Sequence, residues 1–397
     1  MAINENIQPV EESNIKPATE QVSRLYFIDH LRAALVILVV LHHVALVYGA
    51  GAPFYYVEPP FTAPLTFLVL LMFALFNQAW FMGALYLIAG YFTPGSFNRK
   101  GSGSFLKGKL VRLGIPLLVW FFVLSPISSI GYWQMPAELT GITTPLSWAA
   151  YPFLLGLGVA WFLALLLIFN FGYAAWRWLT RNREPAPAKE STPSYLGVSI
   201  FILLLAVFTY LLRIILPLGK EFFGFPTLAY LPQYLSLFIV GAVAYRRNWF
   251  RTTAGSMGVV GFVIALLATI FLFPFAVSGQ LFSLELSEPS LFVGGGTIES
   301  AAYAFWDSVF AVGMCLAAIT FFRRFFDGES SFGRFLSQQS YAVYVIHVPV
   351  VVFVGIALKG IELAPLLKFV LAAVIALPIC FGLAYLIRKI PGVSRVL

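Results

Sequence analysis

The sequence predicts an all-α integral membrane protein, a bundle of about ten transmembrane helices with both termini cytoplasmic. Three observations predict it. Of 397 residues, 60% are hydrophobic and only 11% are charged, with a mean hydropathy of +0.88, so the chain cannot clothe itself in a polar surface. Its apolar runs are long and continuous rather than alternating, which favours helices over a barrel, the two structures that satisfy their own backbone in lipid. Basic residues gather in alternate gaps between those runs, as the positive-inside bias requires.

A crossing takes about twenty apolar residues at ~1.5 Å each. The runs of that length are 31–50, 66–92, 113–130, 153–176, 196–217, 228–245, 255–276, 299–322, 338–358 and 365–387. The first follows a polar, partly acidic tail, residues 1–25, and no small-residue cleavage pattern follows it, so the span is expected to remain as an anchor. The second and third flank a basic turn, FNRKGSGSFLKGKLVRLGIP, that holds Arg99, Lys100, Lys107, Lys109 and Arg112. The fourth ends at Arg177 and leads into RNREPAPAKESTPS, residues 181–194, a polar, Pro-rich cytoplasmic linker expected to be disordered and to divide the bundle. The fifth and sixth enclose a gap with Lys220 and Glu221, and the sixth ends on Arg246 and Arg247. The seventh and eighth enclose Glu285, Glu288 and the run Gly294–Gly296, which lacks the strand and helix of a phosphate cradle and reads as loop. The eighth ends on Arg323 and Arg324, Lys359 and Glu362 separate the ninth from the tenth, and Arg388 and Lys389 precede a short tail, residues 391–397. Residues 26–390 therefore form one membrane domain whose inside loops are basic and whose outside loops are mostly acidic.

The net charge of +8 is thus topogenic, and no nucleic-acid partner is expected; membrane lipid is. Cys315 and Cys380 both lie in apolar runs, and no His-x-x-x-His pattern occurs, so neither a disulfide framework nor a metal site is expected. No repeat relates the first five spans to the last five, which weakens a transporter built from inverted halves.

Ionisable groups inside a bilayer are costly, and each is a functional candidate. His43 lies ~18 Å from the cytoplasmic end of the first span, His347 ~16 Å into the ninth, and Asp307 ~22 Å into the eighth, so the three share a depth. A carboxylate beside an imidazole fixes its tautomer and raises its basicity, as a base acting on a hydroxyl needs. The competing account is a set of hydrogen bonds that merely holds helices together. Arg32 and His43 are about three helical turns apart, on one face and ~16 Å apart along the axis. Arg32 belongs at the cytoplasmic interface, within reach of Asp29, where a phosphate could be held. A donor with a phosphate head and a long thin arm, the shape of acyl-coenzyme A, would span the gap. Lys109 and Arg112, three residues apart at the entry to the third span, suit the remaining phosphates, although anchoring accounts for them equally well. Ser340, Tyr344 and His347 form one polar stripe on the ninth helix. Trp161 and Phe162 form an aromatic wall in the fourth. Arg213, near the outer end of the fifth span, can snorkel outward and is assigned no role.

The stretches YFIDHLRAALVILVVLHH, AGYF, KLVRLGIP, WFLALLL, FWDSVFAVGMCLAAITFFRRF and SYAVYVIHVPV together resemble the acyltransferase-3 family of multi-pass membrane acyltransferases, in its glucan-modifying flavour. The resemblance covers about Tyr26 to Arg388. It implies acyl transfer, acetyl first among the candidates, from cytoplasmic acyl-CoA to a hydroxyl of a carbohydrate or lipid-linked glycan of the cell envelope, in a bacterial plasma membrane. It implies His43 as the base, with Asp307 or His347 assisting, by direct attack or through an acyl-histidine. It implies Arg32, Lys109 and Arg112 at the coenzyme A phosphates, and His347, Tyr344 and Trp161 are the candidates for touching substrate. Two other classes remain open: a transporter or flippase that uses the same His and Asp residues at the midplane, and a scaffold in which they only bind helices.

Overall fold

The computed structural model describes residues 24–58, 64–181, 190–226, 228–281 and 291–397. Within them there is no β-strand, only an isolated bridge between Phe222 and Phe225. The chain is a bundle of helices: α1 (Tyr26–Val47), α2 (Pro64–Gln78), α3 (Phe81–Lys109), a helical run α4 (110–134), α5 (Trp161–Leu179), α6 (Tyr195–Ile215), α7 (Leu231–Arg247), α8 (Gly255–Leu281), α9 (Ile298–Phe325), α10 (Ser331–Ala357) and α11 (Pro365–Lys389).

Among the described residues nine helical runs are long and apolar enough to cross a membrane, one of them the 71-residue stretch Pro64–Gln134. That stretch exceeds three times a crossing, and it doubles back. Gly101 sits at φ 70°, ψ 167°, outside the helical region, in a conformation that favours glycine. Phe97 and Phe105 stack edge to face at 5.3 Å across it, whereas eight residues of straight helix would hold them about 12 Å apart. Counting this run as two crossings turns the nine into ten. The descending half is itself interrupted at Ala79–Trp80, where the Ala79 carbonyl, freed from the helix, accepts from the Gln233 side chain at 2.7 Å. The returning half, α4, begins with a π-turn at Leu110–Gly114.

Small residues let neighbouring backbones approach. A methyl group at Gly90 would strike the Phe238 carbonyl, and one at Gly241 the Leu87 carbonyl, so α3 and α7 meet backbone to backbone, the packing lipid-embedded helices favour. Gly261 and Gly313 do the same for α8 and α9. The core runs along α1, which packs against α10, α9, α11 and α2.

The linker differs from expectation. Residues 182–189 lie outside the described residues, as do residues 1–23 of the N-terminal tail, but the end of the linker is docked. Asn248 donates to Glu190 at 2.9 Å, Thr252 to the Ser191 carbonyl at 3.3 Å, and Ser194 caps α6 by accepting from Gly197 N–H. Nor does the linker divide the bundle, because α3, before it, packs along α7, after it, and α1 packs along α10.

Candidate functional site

The pairing of α1 with α10 brings His43 and His347 together. His347 Nε2 lies 3.2 Å from His43 Nδ1, and the ring centroids are 4.8 Å apart. Each ring is also held by its own helix: His43 Nδ1 is 2.8 Å from the Val39 carbonyl, and His347 Nδ1 is 2.7 Å from the Tyr344 carbonyl. A carbonyl only accepts, so this network assigns the proton of each neutral imidazole to Nδ1. His347 Nε2 is then an acceptor for the His43 Nδ1–H, which it shares with Val39. Among the described residues no hydrogen bond reaches the Nε2 of His43, which keeps an uncommitted lone pair. His347 is completely buried and His43 half-buried, so the basic nitrogen sits in the one ring of the pair that can be approached. Pro349, two residues beyond His347, removes a backbone N–H from α10 at this level. His42 points elsewhere and packs on Phe81 at 5.3 Å.

The segment after α1 covers this pair from the end opposite the basic loops. Phe54 lies against His43 with centroids 5.4 Å apart, and Tyr55 packs on Tyr132 at 5.8 Å. The segment is pinned by Glu58 N–H donating to the Val47 carbonyl at 2.9 Å, and by an ion pair between Glu58 and Lys368 of α11. Burial pushes the Tyr55 phenol up to about 12, so it stays protonated at neutral pH.

Tyr344 lies beside His347, ring centroids 5.8 Å apart, and Trp161 joins it through Phe162. Tyr344 donates to the Val159 carbonyl at 2.5 Å and lies 5.3 Å from Phe162, while Trp161 stacks on Tyr234 at 5.4 Å. Both side chains are buried, so they shape the surroundings of the pair. The expected stripe is only partly used, because Ser340 donates back to the Leu336 carbonyl at 2.7 Å.

At the basic end, Arg32 is half-buried, bonds Asp29 at 3.2 Å and the Ser337 carbonyl at 3.3 Å, and keeps its Nε without a partner among the described residues. Arg112 is close enough for its charge to act on Arg32, and Arg112 and Lys100 act on Lys109. Arg112 lies in the π-turn at the start of α4, and Tyr341 of α10 ties that turn to α10 by donating to the Arg112 carbonyl. Arg32, Lys109 and Arg112, the three residues expected at the phosphates, thus lie within range of one another's charge at the basic end. On α1, Val36 and Val39 lie between Arg32 and His43, both buried, so the face of α1 that runs from the basic end to the histidines is apolar.

Asp307 is not part of this arrangement. Its Oδ2 accepts from Arg213 Nη2 at 2.6 Å, and among the described residues no hydrogen bond or ion pair joins it to either histidine. Sharing a depth placed it with them, yet depth along a helix says nothing about which neighbour that side of the helix faces. Arg213, expected to snorkel outward, is instead completely buried. Sequence reasoning also missed Phe54 and the Glu58–Lys368 pair. Lys368, a charge four residues into an apolar run, was the available signal. No group of three or more His, Cys, Asp or Glu side chains that could hold a metal occurs among the described residues.

A family model described as an acyltransferase domain matches residues 25–385. The chain is 24% identical over 383 residues, 93% of each sequence, to a protein of Salmonella schwarzengrund named glucans biosynthesis protein C. It is 27% identical over 234 residues, 56% of this chain and 58% of the relative, to the proteins of that name from Salmonella typhi and Salmonella typhimurium. No solved structure matches the chain.

Proposed function

We infer the function from one premise: the chain belongs to the acyltransferase-3 family. It is a membrane acyltransferase. On that basis we read it as moving an acyl group, acetyl first among the candidates, from cytoplasmic acyl-CoA to a hydroxyl of a glucan or related envelope carbohydrate. The relatives' name supports the glucan. The reading places the protein in a bacterial plasma membrane with both termini cytoplasmic.

The observation that carries the chemistry is the histidine pair, 3.2 Å apart, with the Nε2 of His43 uncommitted. In this reading His43 Nε2 takes the proton of the acceptor hydroxyl as its oxygen attacks the thioester carbonyl. The C–S bond then breaks, and the departing coenzyme A sulfur takes that proton back from His43. While His43 is an imidazolium, its Nδ1–H remains held by Val39 and by His347 Nε2, which aims the ring and offsets the charge. Arg32, Lys109 and Arg112 hold the phosphates of the donor at the basic mouth. The apolar face of α1 at Val36 and Val39 keeps water away from the thioester.

The test is transfer from acetyl-CoA to short glucose oligomers by purified protein. His43→Ala is expected to lower turnover by about a hundred- to ten-thousandfold while the protein still inserts and binds acetyl-CoA. Turnover near the wild-type level in a folded His43→Ala protein would overturn the assignment. Donor-independent movement of the carbohydrate across vesicles would favour the transporter class.

A further inference from the structure

A second buried polar group lies between α6, α7 and α9, toward the end away from the basic mouth. Arg213 is two residues from the C-terminal end of α6 and completely buried. Its guanidinium offers five N–H donors in a planar fork, yet only Nη2 reaches Asp307. Arg213 Nε and Nη1, and the Oδ1 of Asp307, are buried without a hydrogen-bond partner among the described residues. The rings of Tyr230 and Tyr303 lie over the guanidinium, their centroids 4.8 and 5.4 Å from its central carbon. The hydroxyls of Thr209, one turn from Arg213, and Ser300, two turns from Asp307, are also buried and unpartnered.

A buried donor or acceptor without a partner costs about 1–3 kcal/mol, and folded proteins leave few of them. Here three of them, Arg213 Nε and Nη1 and Asp307 Oδ1, belong to one ion pair, which describes a place that a polar guest completes. The charges of Arg213 and Asp307 cancel, so the guest is neutral. It must both accept, from Nε and Nη1, and donate, to Oδ1, and a hydroxyl does both. The faces of Tyr230 and Tyr303 are taken up by the guanidinium, so the rings wall the pair with apolar surface and leave recognition to the open hydrogen-bonding atoms. The segment 291–297 closes the site from the end away from the basic mouth: Leu218 N–H donates to the Val293 carbonyl at 2.8 Å, and Tyr210 to the Gly296 carbonyl at 2.9 Å. Gly295 and Gly296 carry φ of 75° and 81° in that strap.

We propose that Arg213 and Asp307, with Tyr230 and Tyr303, form a subsite that holds a neutral glucose unit of the acceptor by its hydroxyl groups. This rests on the glucan reading above. It makes the ion pair a recognition element on the acceptor side, separate from the base at His43.

The experiment measures transfer from acetyl-CoA to short glucose oligomers with each substrate varied in turn, on the full chain. The paired substitution Arg213→Gln with Asp307→Asn removes both charges, keeps the shape of the aspartate and leaves a shorter polar side chain in place of the arginine. It is expected to raise KM for the oligomer by about ten- to a hundredfold, the loss of one hydrogen bond to a charged group, with KM for acetyl-CoA unchanged. Should that protein fail to fold, Thr209→Val decides: it removes one unpartnered hydroxyl, is expected to leave thermal stability equal or higher, and still raises the oligomer KM several-fold. Wild-type oligomer KM in the folded variants overturns the subsite alone and leaves the pair as a purely structural, water-filled contact. A wild-type enzyme that transfers nothing to any glucose oligomer overturns the glucan reading and the subsite together.

Discussion

The bundle holds two buried polar pairs built from opposite materials, His43 with His347 between α1 and α10, and Arg213 with Asp307 between α6 and α9. The histidines are neutral in their hydrogen-bonding scheme, each is fastened to a carbonyl of its own helix, and a single lone pair is left over, on the half-buried ring. The ions are fully enclosed, held across helices by one short contact, and leave three polar atoms open. In the proposed reading, the difference follows from the demands of the two tasks. Moving a proton needs one free valence at a fixed place, and a backbone anchor supplies the fixing. Recognising a ligand needs several open valences, and a pair of buried ions supplies them at a cost in stability that each ion recovers only while its partner is present.

That dependence gives the largest expected effect. Arg213→Met alone strands the Asp307 carboxylate in an apolar setting and is expected to cost about 3–5 kcal/mol, read as a lower midpoint of thermal denaturation or as failure to accumulate in the membrane. Adding Asp307→Leu to it should recover most of the loss, a coupling that a double-mutant cycle isolates. His43→Ala and His347→Ala leave behind only neutral groups and should cost far less. If Arg213→Met is as stable as the wild type, the ions do not depend on one another as described and the contrast between the pairs fails.

Much of the architecture was legible in the sequence because lipid imposes a simple rule. Every crossing must be a long apolar helix, and basic loops mark one side, so the spans and the basic inside segment between the second and the third could be read directly, though not the turn at Gly101 itself. The meeting of His43 and His347 was legible for a related reason: two rare polar groups at one depth need a partner. The same reasoning gave a wrong neighbour for Asp307. Periodicity fixes where a residue sits along its helix and on which face, but the rotation of that helix against the others is a tertiary fact. Arg213, two residues from the end of α6, looked free to reach water. Only the packing of α6 on α9 and the strap at 291–297 turns it inward. Phe54 was out of reach because nothing in a loop's composition says which way it folds back over a site.

The next effect in size concerns what His347 does for His43. As an acceptor for the His43 Nδ1–H it acts through another residue, so its loss should slow turnover by about ten- to a hundredfold, as removal of groups that orient a functional histidine does. KM for either substrate should stay unchanged. His347→Phe is expected to show this loss in full. His347→Gln keeps an oxygen that can accept from His43 and should recover much of the rate. Equal defects in the two variants would mean that His347 contributes packing and not a hydrogen bond, and the histidine pair would then be no more organised than the ion pair.

The smallest effect belongs to Arg32, and it sharpens the contrast by its dependence on salt. Its side chain is 38% exposed and already bonds Asp29, and Arg112 and Lys109 lie at the same basic end, so no single cation there is indispensable. Arg32→Gln is therefore expected to raise KM for acetyl-CoA by about tenfold at low ionic strength, the loss of one charge-assisted phosphate contact, with turnover at saturation unchanged. Charges at an open mouth are screened beyond about 8 Å at physiological salt, whereas enclosed pairs are screened much less. The penalty of Arg32→Gln should accordingly shrink as salt is added, while the effects of His347→Phe and of the Arg213 and Asp307 substitutions change much less. A salt-independent defect in Arg32→Gln would place that guanidinium against a buried part of the donor and extend the enclosed site down the whole face of α1.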